Sequence, residues 1–195
     1  MLSAFEGLDQ SGKETQARQF MAALQADQRA VHAASFPDYG TPIGRELRQA
    51  LDGHRDFGPE VMQLLYVANR FEYRDRLASW LSDGAIVVCD RYRASSVAYG
   101  EAQGLDPVWL EAIQRDLPPA ALTVLLDLAP ERAALRKPEA RDRYERDLAL
   151  LGRVRDSYLR QARTQHNWVV IDADQPRERV AEAISAAVWP RLARP

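Results

Sequence analysis

Leu2-Ser3-Ala4-Phe5-Glu6-Gly7-Leu8-Asp9-Gln10-Ser11-Gly12-Lys13 is the stretch from which the fold is read. Leu2 to Phe5 is a short apolar run of strand type, and a helical pattern begins at Lys13 and continues to Ala26. Between them Gly7 to Lys13 has the spacing GxxxxGK, and strand, glycine loop, helix is the order in which that spacing wraps a phosphate. The glycines let successive backbone N–H groups turn inward on an anion. The helix that follows adds the partial positive charge of its N-terminus. Lys13 then reaches the outer phosphates as a mobile point charge. Without these flanks the same spacing is only a glycine-bearing strand-to-helix turn.

Outward from this loop, short apolar runs alternate with longer helical patterns. Ala85 to Cys89, Leu122 to Leu126 and Trp168 to Ile171 read as strands, and a weaker one lies near Ala30 to Ala34. Near-continuous apolar runs of this kind suit strands buried on both faces of a parallel sheet. Helices are expected over Lys13–Ala26, Ile43–Leu51, Pro59–Leu81, Pro107–Arg115, Pro130–Arg136, Arg143–Thr164 and Arg177–Trp189. Pro107 and Pro130 suit the first helical turn, where a missing N–H costs nothing. The fold class is therefore α/β, a doubly wound, mostly parallel five-stranded sheet flanked by helices, of the P-loop NTPase type. No linker-like run or repeat divides the chain, so a single domain over 1–195 is expected.

Composition narrows the partners. With 195 residues, 26 basic against 28 acidic and a net charge of −2, no bulk charge points to nucleic acid. Any anion site must be built from a few placed arginines and backbone amides. Cys89 is the only cysteine, which excludes an internal disulfide and suits a reducing cytosol. The N-terminus lacks the pattern of a signal peptide, and no stretch approaches the ~20 apolar residues that span a bilayer. A cytoplasmic protein with no membrane partner is expected.

The residue after the lysine of such a loop is ordinarily Ser or Thr, whose hydroxyl binds Mg²⁺. Here it is Glu14, with Thr15 next, about 100° further around the helix. Glu14 either holds the metal, directly or through water, or faces solvent and leaves it to Asp9, Asp90 and the phosphates. Asp90-Arg91 follows the Ala85–Cys89 strand, and ligands of open α/β sheets bind beyond the carboxyl ends of strands. A carboxylate there suits Mg²⁺, and a guanidinium suits phosphate bidentately. Taken alone, the pair reads as a helix cap with a surface partner.

Several ordered segments together resemble the thymidylate kinase family. FEGLDQSGKETQ (Phe5 to Gln16) is similar to its phosphate loop, FPDYGTPIG (Phe36 to Gly44) to its acceptor loop and LLYVANRFE (Leu64 to Glu72) to its base-binding helix. DRYRASSVAY (Asp90 to Tyr99) is similar to its DRY-type motif, and LDLAPERA (Leu126 to Ala133) with RYE (Arg143 to Glu145) to its lid region. The resemblance implies one nucleoside-monophosphate-kinase-like domain with a short lid at about 132–143, transferring the γ-phosphoryl group of ATP to dTMP with Mg²⁺. It implies ATP held by Gly7, Leu8, Asp9, Gln10, Ser11, Gly12, Lys13, Glu14 and Thr15, with adenine near Asp172 to Pro176. It also implies a homodimer; the 59–81 and 107–115 helices carry apolar positions that suit an interface and the core alike.

For dTMP the resemblance implies Tyr66 stacked on thymine and Arg70 hydrogen-bonded to the base. Phe36 lines the pocket, Tyr39 and Arg91 hold the phosphate, and Asp9 takes the 3′-hydroxyl or the metal's waters. Ser96 lies near the polar edge of the base, and Tyr99 lies under the sugar, where a 2′-hydroxyl would collide. Tyr66 and Arg70 are i and i+4 and so share a helix face, though such a pair is also common as core tyrosine and snorkelling arginine. Tyr39 stands where many members have arginine, and Ser96 and Gly100 where others have Asn or Gln.

Arg132, Arg136, Lys137, Arg141 and Arg143 cluster after the Leu122–Leu126 strand. Alone, such a run reads as a solvated face. Because Gln10 and Ser11 occupy loop positions where some members carry a basic residue, the chain resembles the subtype whose lid supplies the arginines. Arg136 and Arg141 are expected to act with Lys13, Arg91 and Asp9 in catalysis, with Arg143 structural beside Tyr144 and Glu145, and Pro138-Glu139-Ala140 the tip of a mobile lid. Two other readings stay open: a deoxynucleoside kinase using Glu6 as base, and a nucleotide-binding protein weakened at Glu14.

Overall fold

The computed structural model describes residues 1–136 and 147–192. Their order is β1 (Leu2–Gly7), α1 (Lys13–Ala26), β2 (Val31–Ser35), α2 (Pro42–Leu51), α3 (Pro59–Phe71), α4 (Arg74–Ser82), β3 (Ile86–Asp90) and α5 (Arg93–Ala102). Then come α6 (Pro107–Ala112), β4 (Leu122–Asp127), α7 (Pro130–Arg136), α8 (Leu148–Thr164), β5 (Trp168–Asp172), α9 (Arg177–Val188) and a 3₁₀ turn at Trp189–Arg191.

The strands run β2-β3-β1-β4-β5, and every pairing is parallel. After β1 the chain builds one side of the sheet with β2 and β3, then crosses to the other with β4 and β5. The reversal falls at β1, so its carboxyl end opens into the crevice where ligands of such sheets bind. Register aligns the neighbouring ends: Phe5 lies opposite Asp90, Gly7 opposite Leu126, and Asp127 opposite Asp172.

Both faces are covered. Phe5, Val88, Val124 and Leu126 pack on Phe20 and Leu24 of α1 and on Val180 and Ile184 of α9. On the opposite face Leu2, Val87 and Cys89 meet Leu77, while Leu125 and Trp168 meet Ala98 of α5 and Val154 of α8. At about 25 cal/mol per Å² of apolar surface removed from water, such two-sided burial is the main force holding the layers together.

Two helices differ from the sequence reading. The expected helix Pro59–Leu81 is two, separated at Glu72-Tyr73. No Gly or Pro marks the break; side chains reaching to the 36–43 segment do. Tyr73 donates its hydroxyl to the Asp38 carboxylate. Asn69 Nδ2 donates to the Asp38 carbonyl (3.2 Å) and Glu72 accepts from the Ile43 N–H (3.2 Å). The second difference is α5, absent from the sequence reading because Ser95, Ser96, Val97 and Gly100 are modest helix formers. It forms because its inner face packs on α8, and because the buried Glu6 carboxylate sits at its N-terminus, accepting from the Tyr92 N–H (2.8 Å) and Ser95 Oγ (2.6 Å). A boundary also shortens, α6 ending at Ala112 rather than Arg115; α8 runs from Leu148, capped by Asp147 accepting from the Leu150 N–H at 2.9 Å, and its expected start at Arg143 lies outside the described residues.

The segment joining β2 to α2 carries a cis Phe36–Pro37 peptide and ends at Thr41, whose Oγ1 caps α2 by accepting from the Gly44 N–H (3.0 Å). Gly44 lies so close to this loop that a Cβ would sit 1.7 Å from the Asp38 carbonyl oxygen. Gly44→Ala must therefore push α2 off the loop. The expected cost is about 1–3 kcal/mol in urea unfolding at unchanged m-value.

Candidate active site

The loop after β1 curls as the glycine spacing requires. Gly7, Gln10 and Gly12 have φ of 142°, 64° and 91°. Gly7 is also sterically required, since a Cβ there would lie 2.6 Å from the Leu126 carbonyl oxygen. Lys13, at the start of α1, is buried beneath the loop, where Nζ donates to the Leu8 carbonyl (3.3 Å) and to Asp9 Oδ1 (3.2 Å). Ser11 Oγ is buried in the loop with no partner among the described residues.

Arg91 ties this loop to β3 and α5. Its backbone sits at φ 61°, which turns the side chain back over β1. Nη1 donates to the Gly7 carbonyl (3.1 Å), Ser95 Oγ (3.3 Å) and Tyr158 Oη (3.3 Å). Nη2 donates to Asp9 Oδ1 (2.9 Å) and Tyr99 Oη (3.3 Å), and Tyr99 Oη donates in turn to Asp9 Oδ2 (3.3 Å). Asp9 is thus held between two cations.

Burial pushes the Asp9 carboxyl upward, but the charges of Arg91 and Lys13 outweigh it and hold the group well below the ordinary carboxylate range. A carboxylate depressed this way contributes stability that is fully present above its ordinary value near 3.8 and is lost as pH falls through its lower folded value. Asp9→Asn is therefore expected to be less stable than the native chain at pH 7. That difference should narrow only below about pH 3.8 in urea unfolding curves recorded across the acid range.

Beneath α3 and α5 lies an open cleft. It brings together the residues expected for the acceptor: Asp9, Phe36, Tyr39, Tyr66, Arg70, Arg91, Ser96 and Tyr99 all line it. Arg70 is buried, and its Nη1 donates to Ser96 Oγ at 2.7 Å. Burial pushes the Arg70 guanidinium pKa down, opposed chiefly by Glu6. Phe36 packs edge-on to Tyr73 with ring centroids 5.3 Å apart. Tyr39 lies at the mouth under the Arg48 guanidinium, and Tyr99 under that of Arg91.

The sequence reading missed Gln63, Ser95 and Gln103, which also line this cleft. Gln63 precedes Tyr66 by three and Arg70 by seven, so helical periodicity alone places it on their face. Gln103 follows Tyr99 by four, a signal legible only once α5 is known. Glu6 lies elsewhere: it is fully buried, and besides Tyr92 and Ser95 it accepts from Tyr158 Oη (3.1 Å). That geometry makes it a brace for α5 rather than a base at an acceptor hydroxyl.

Residues for a divalent metal face the same crevice. Asp90 Oδ1 is buried with no partner among the described residues, and burial raises the pKa of this carboxyl against the opposing charges of Lys13 and Arg91. An orphaned carboxylate oxygen beside the phosphate loop fits Mg²⁺, which keeps several waters and takes one or two carboxylates plus phosphate oxygens. No group of three or more His, Cys, Asp or Glu side chains able to hold a metal occurs among the described residues. Glu14 points to the outer face of α1, its side chain 69% exposed and paired with Arg18 at 2.6 Å. It also lines a groove with Asp38 and Asp90. Thr15 is half-buried on α1.

On the other side of the loop Arg136 Nη1 donates to the Gln10 carbonyl (3.1 Å) and the Ser11 carbonyl (3.4 Å), and Nη2 to that of Ala173. It bridges the phosphate loop to the β5–α9 connection. There Arg132 Nε donates to both oxygens of Asp174, and Leu135, Gln175 and Pro176 complete an open hollow. Lys137, Arg141, Arg143, Tyr144, Glu145 and the expected lid tip lie outside the described residues.

A family model described as thymidylate kinase matches residues 5–184. A thymidylate kinase of Thermomicrobium roseum is 38% identical over 195 residues, covering 94% of this chain and 92% of that protein. A probable thymidylate kinase of Pyrobaculum calidifontis is 37% identical, with 96% and 95% covered. The solved structure of Candida albicans thymidylate kinase superposes with a TM-score of 0.83 at 26% identity, covering 97% of this chain and 91% of that one.

Proposed function

Since this chain belongs to the thymidylate kinase family, we propose that it transfers the γ-phosphoryl group of ATP to dTMP, giving dTDP and ADP for dTTP synthesis. The observation that carries this reading is one cleft. It joins an aromatic-and-arginine face, Tyr66 and Arg70, to a phosphate-binding arginine, Arg91, directly beside the Gly7–Lys13 loop.

The chemistry is alignment and charge neutralisation. The loop amides and Lys13 hold the donor's β and γ phosphates, with Leu8, Asp9, Gln10, Ser11, Gly12, Glu14 and Thr15 forming the loop and its exit. Tyr66 stacks on thymine, Arg70 binds its edge, and Tyr99 excludes a 2′-hydroxyl. Arg91 and Tyr39 fix the acceptor phosphate, whose oxygen is already anionic and needs no strong base. Asp90, with Asp9, would hold Mg²⁺, which would supply charge neutralisation at the phosphates. Arg136 with Arg141 supplies cations to the transferring group, and adenine lies near Asp172 to Pro176. Glu14, committed to Arg18, stays outside the metal shell.

The partners in this reading are ATP and dTMP, with no nucleic acid and no membrane; no helix among the described residues is long and apolar enough to cross one. The protein is cytoplasmic and acts as a single domain over 1–195 with a lid at about 132–143. It is also a homodimer through the exposed Val61 and Leu64 of α3 and Val108 of α6, a mass that sedimentation reads directly. A chain sedimenting as a 22.0 kDa species would remove the dimer.

The reaction is tested by incubating the protein with γ-labelled ATP, Mg²⁺ and dTMP and separating the products. Label in dTDP, equal in amount to ADP, supports it. Label released only as inorganic phosphate contradicts it.

A further inference from the structure

We propose that Gln63 reads the base, accepting a hydrogen bond from ring N3–H and so selecting a thymine- or uracil-type edge over cytosine. This rests on the dTMP reading above. Gln63 is 1% exposed, lines the cleft, and its Oε1 has no partner among the described residues. An amide oxygen that is buried and unpaired is costly, and in a ligand cleft it marks where a donor is received.

Its neighbour on the helix completes the pattern. Arg70, two turns along the same face, commits Nη1 to Ser96 and leaves Nε buried without an acceptor among the described residues. One face of α3 therefore offers an unmet acceptor and an unmet donor to the same cleft. The C4 carbonyl and N3–H of thymine present the complementary acceptor and donor side by side. Cytosine reverses both, setting ring N3 against Gln63 Oε1 and its amino group against Arg70.

Gln63→Met keeps the length and packing of the side chain and removes the acceptor. Calorimetric titration should give a Kd for dTMP raised about tenfold in Q63M, with the Kd for dCMP unchanged or lowered. Equal weakening of both nucleotides, or unchanged dTMP affinity, overturns the proposal. A second measurement needs no variant: the native protein should bind N3-methyl-dTMP at least about tenfold more weakly than dTMP. Equal affinity for the two overturns the assignment of Gln63. A native protein that neither binds nor phosphorylates dTMP instead removes the functional reading itself, so the two failures are distinct.

Discussion

Arg91→Ala is expected to lower kcat/KM for dTMP by about 10³-fold. The guanidinium stands where β1, β3 and α5 converge, and Gly7, Asp9, Ser95, Tyr99 and Tyr158 all fix its orientation. Five contacts on a planar group leave it little rotational freedom, so its cost of ordering is met on folding rather than at binding. A phosphate meeting it gains charge-assisted hydrogen bonds in a preset geometry. Lysine cannot reproduce that geometry, so Arg91→Lys should resemble the alanine variant far more than the native protein. Steady-state kinetics with dTMP varied at saturating ATP reads the effect, and melting curves check that both variants fold. A loss of under tenfold in the alanine variant would remove Arg91 from the acceptor site.

The second large effect is on the donor side. Lys13→Met should reduce kcat by about 10³-fold while the dTMP Kd changes by no more than about threefold. Lys13 lies under the phosphate loop and does not line the base cleft. Its charge is therefore expected to matter when the γ-phosphoryl group moves, not when dTMP docks. The modest change allowed in dTMP binding comes from Asp9, which Lys13 and Arg91 share. Calorimetry with dTMP alone, beside turnover with both substrates, separates the two. A dTMP affinity falling in parallel with kcat would mean that the loop and the cleft are not separate sites.

Much of this was readable because local pattern and tertiary role coincide. A glycine loop between an apolar strand and a helix permits few arrangements, and the buried parallel strands announce themselves as unbroken apolar runs. The cleft residues were readable through the ordered resemblance to the thymidylate kinase family; taken alone, Tyr66 with Arg70 reads as a core tyrosine beside a snorkelling arginine. What stayed hidden was set by distant contacts. The break at Glu72-Tyr73 depends on Asp38, more than thirty residues earlier, and α5 depends on Glu6, more than eighty residues away. Glu6 itself reads as a strand-end acid, and only the fold shows it sealed among Ser95, Tyr92 and Tyr158. Gln63 was within reach of helical periodicity but carries no charge or ring to draw notice.

Coupled ADP release with ATP and Mg²⁺ across a panel of acceptors tests whether dTMP is the phosphoryl acceptor. With dTMP, turnover should exceed the acceptor-free rate by at least about 10²-fold, fall on chelation of Mg²⁺, and be absent with thymidine. Turnover on thymidine in place of dTMP, or ATP binding without turnover on any acceptor, would show that dTMP is not the acceptor.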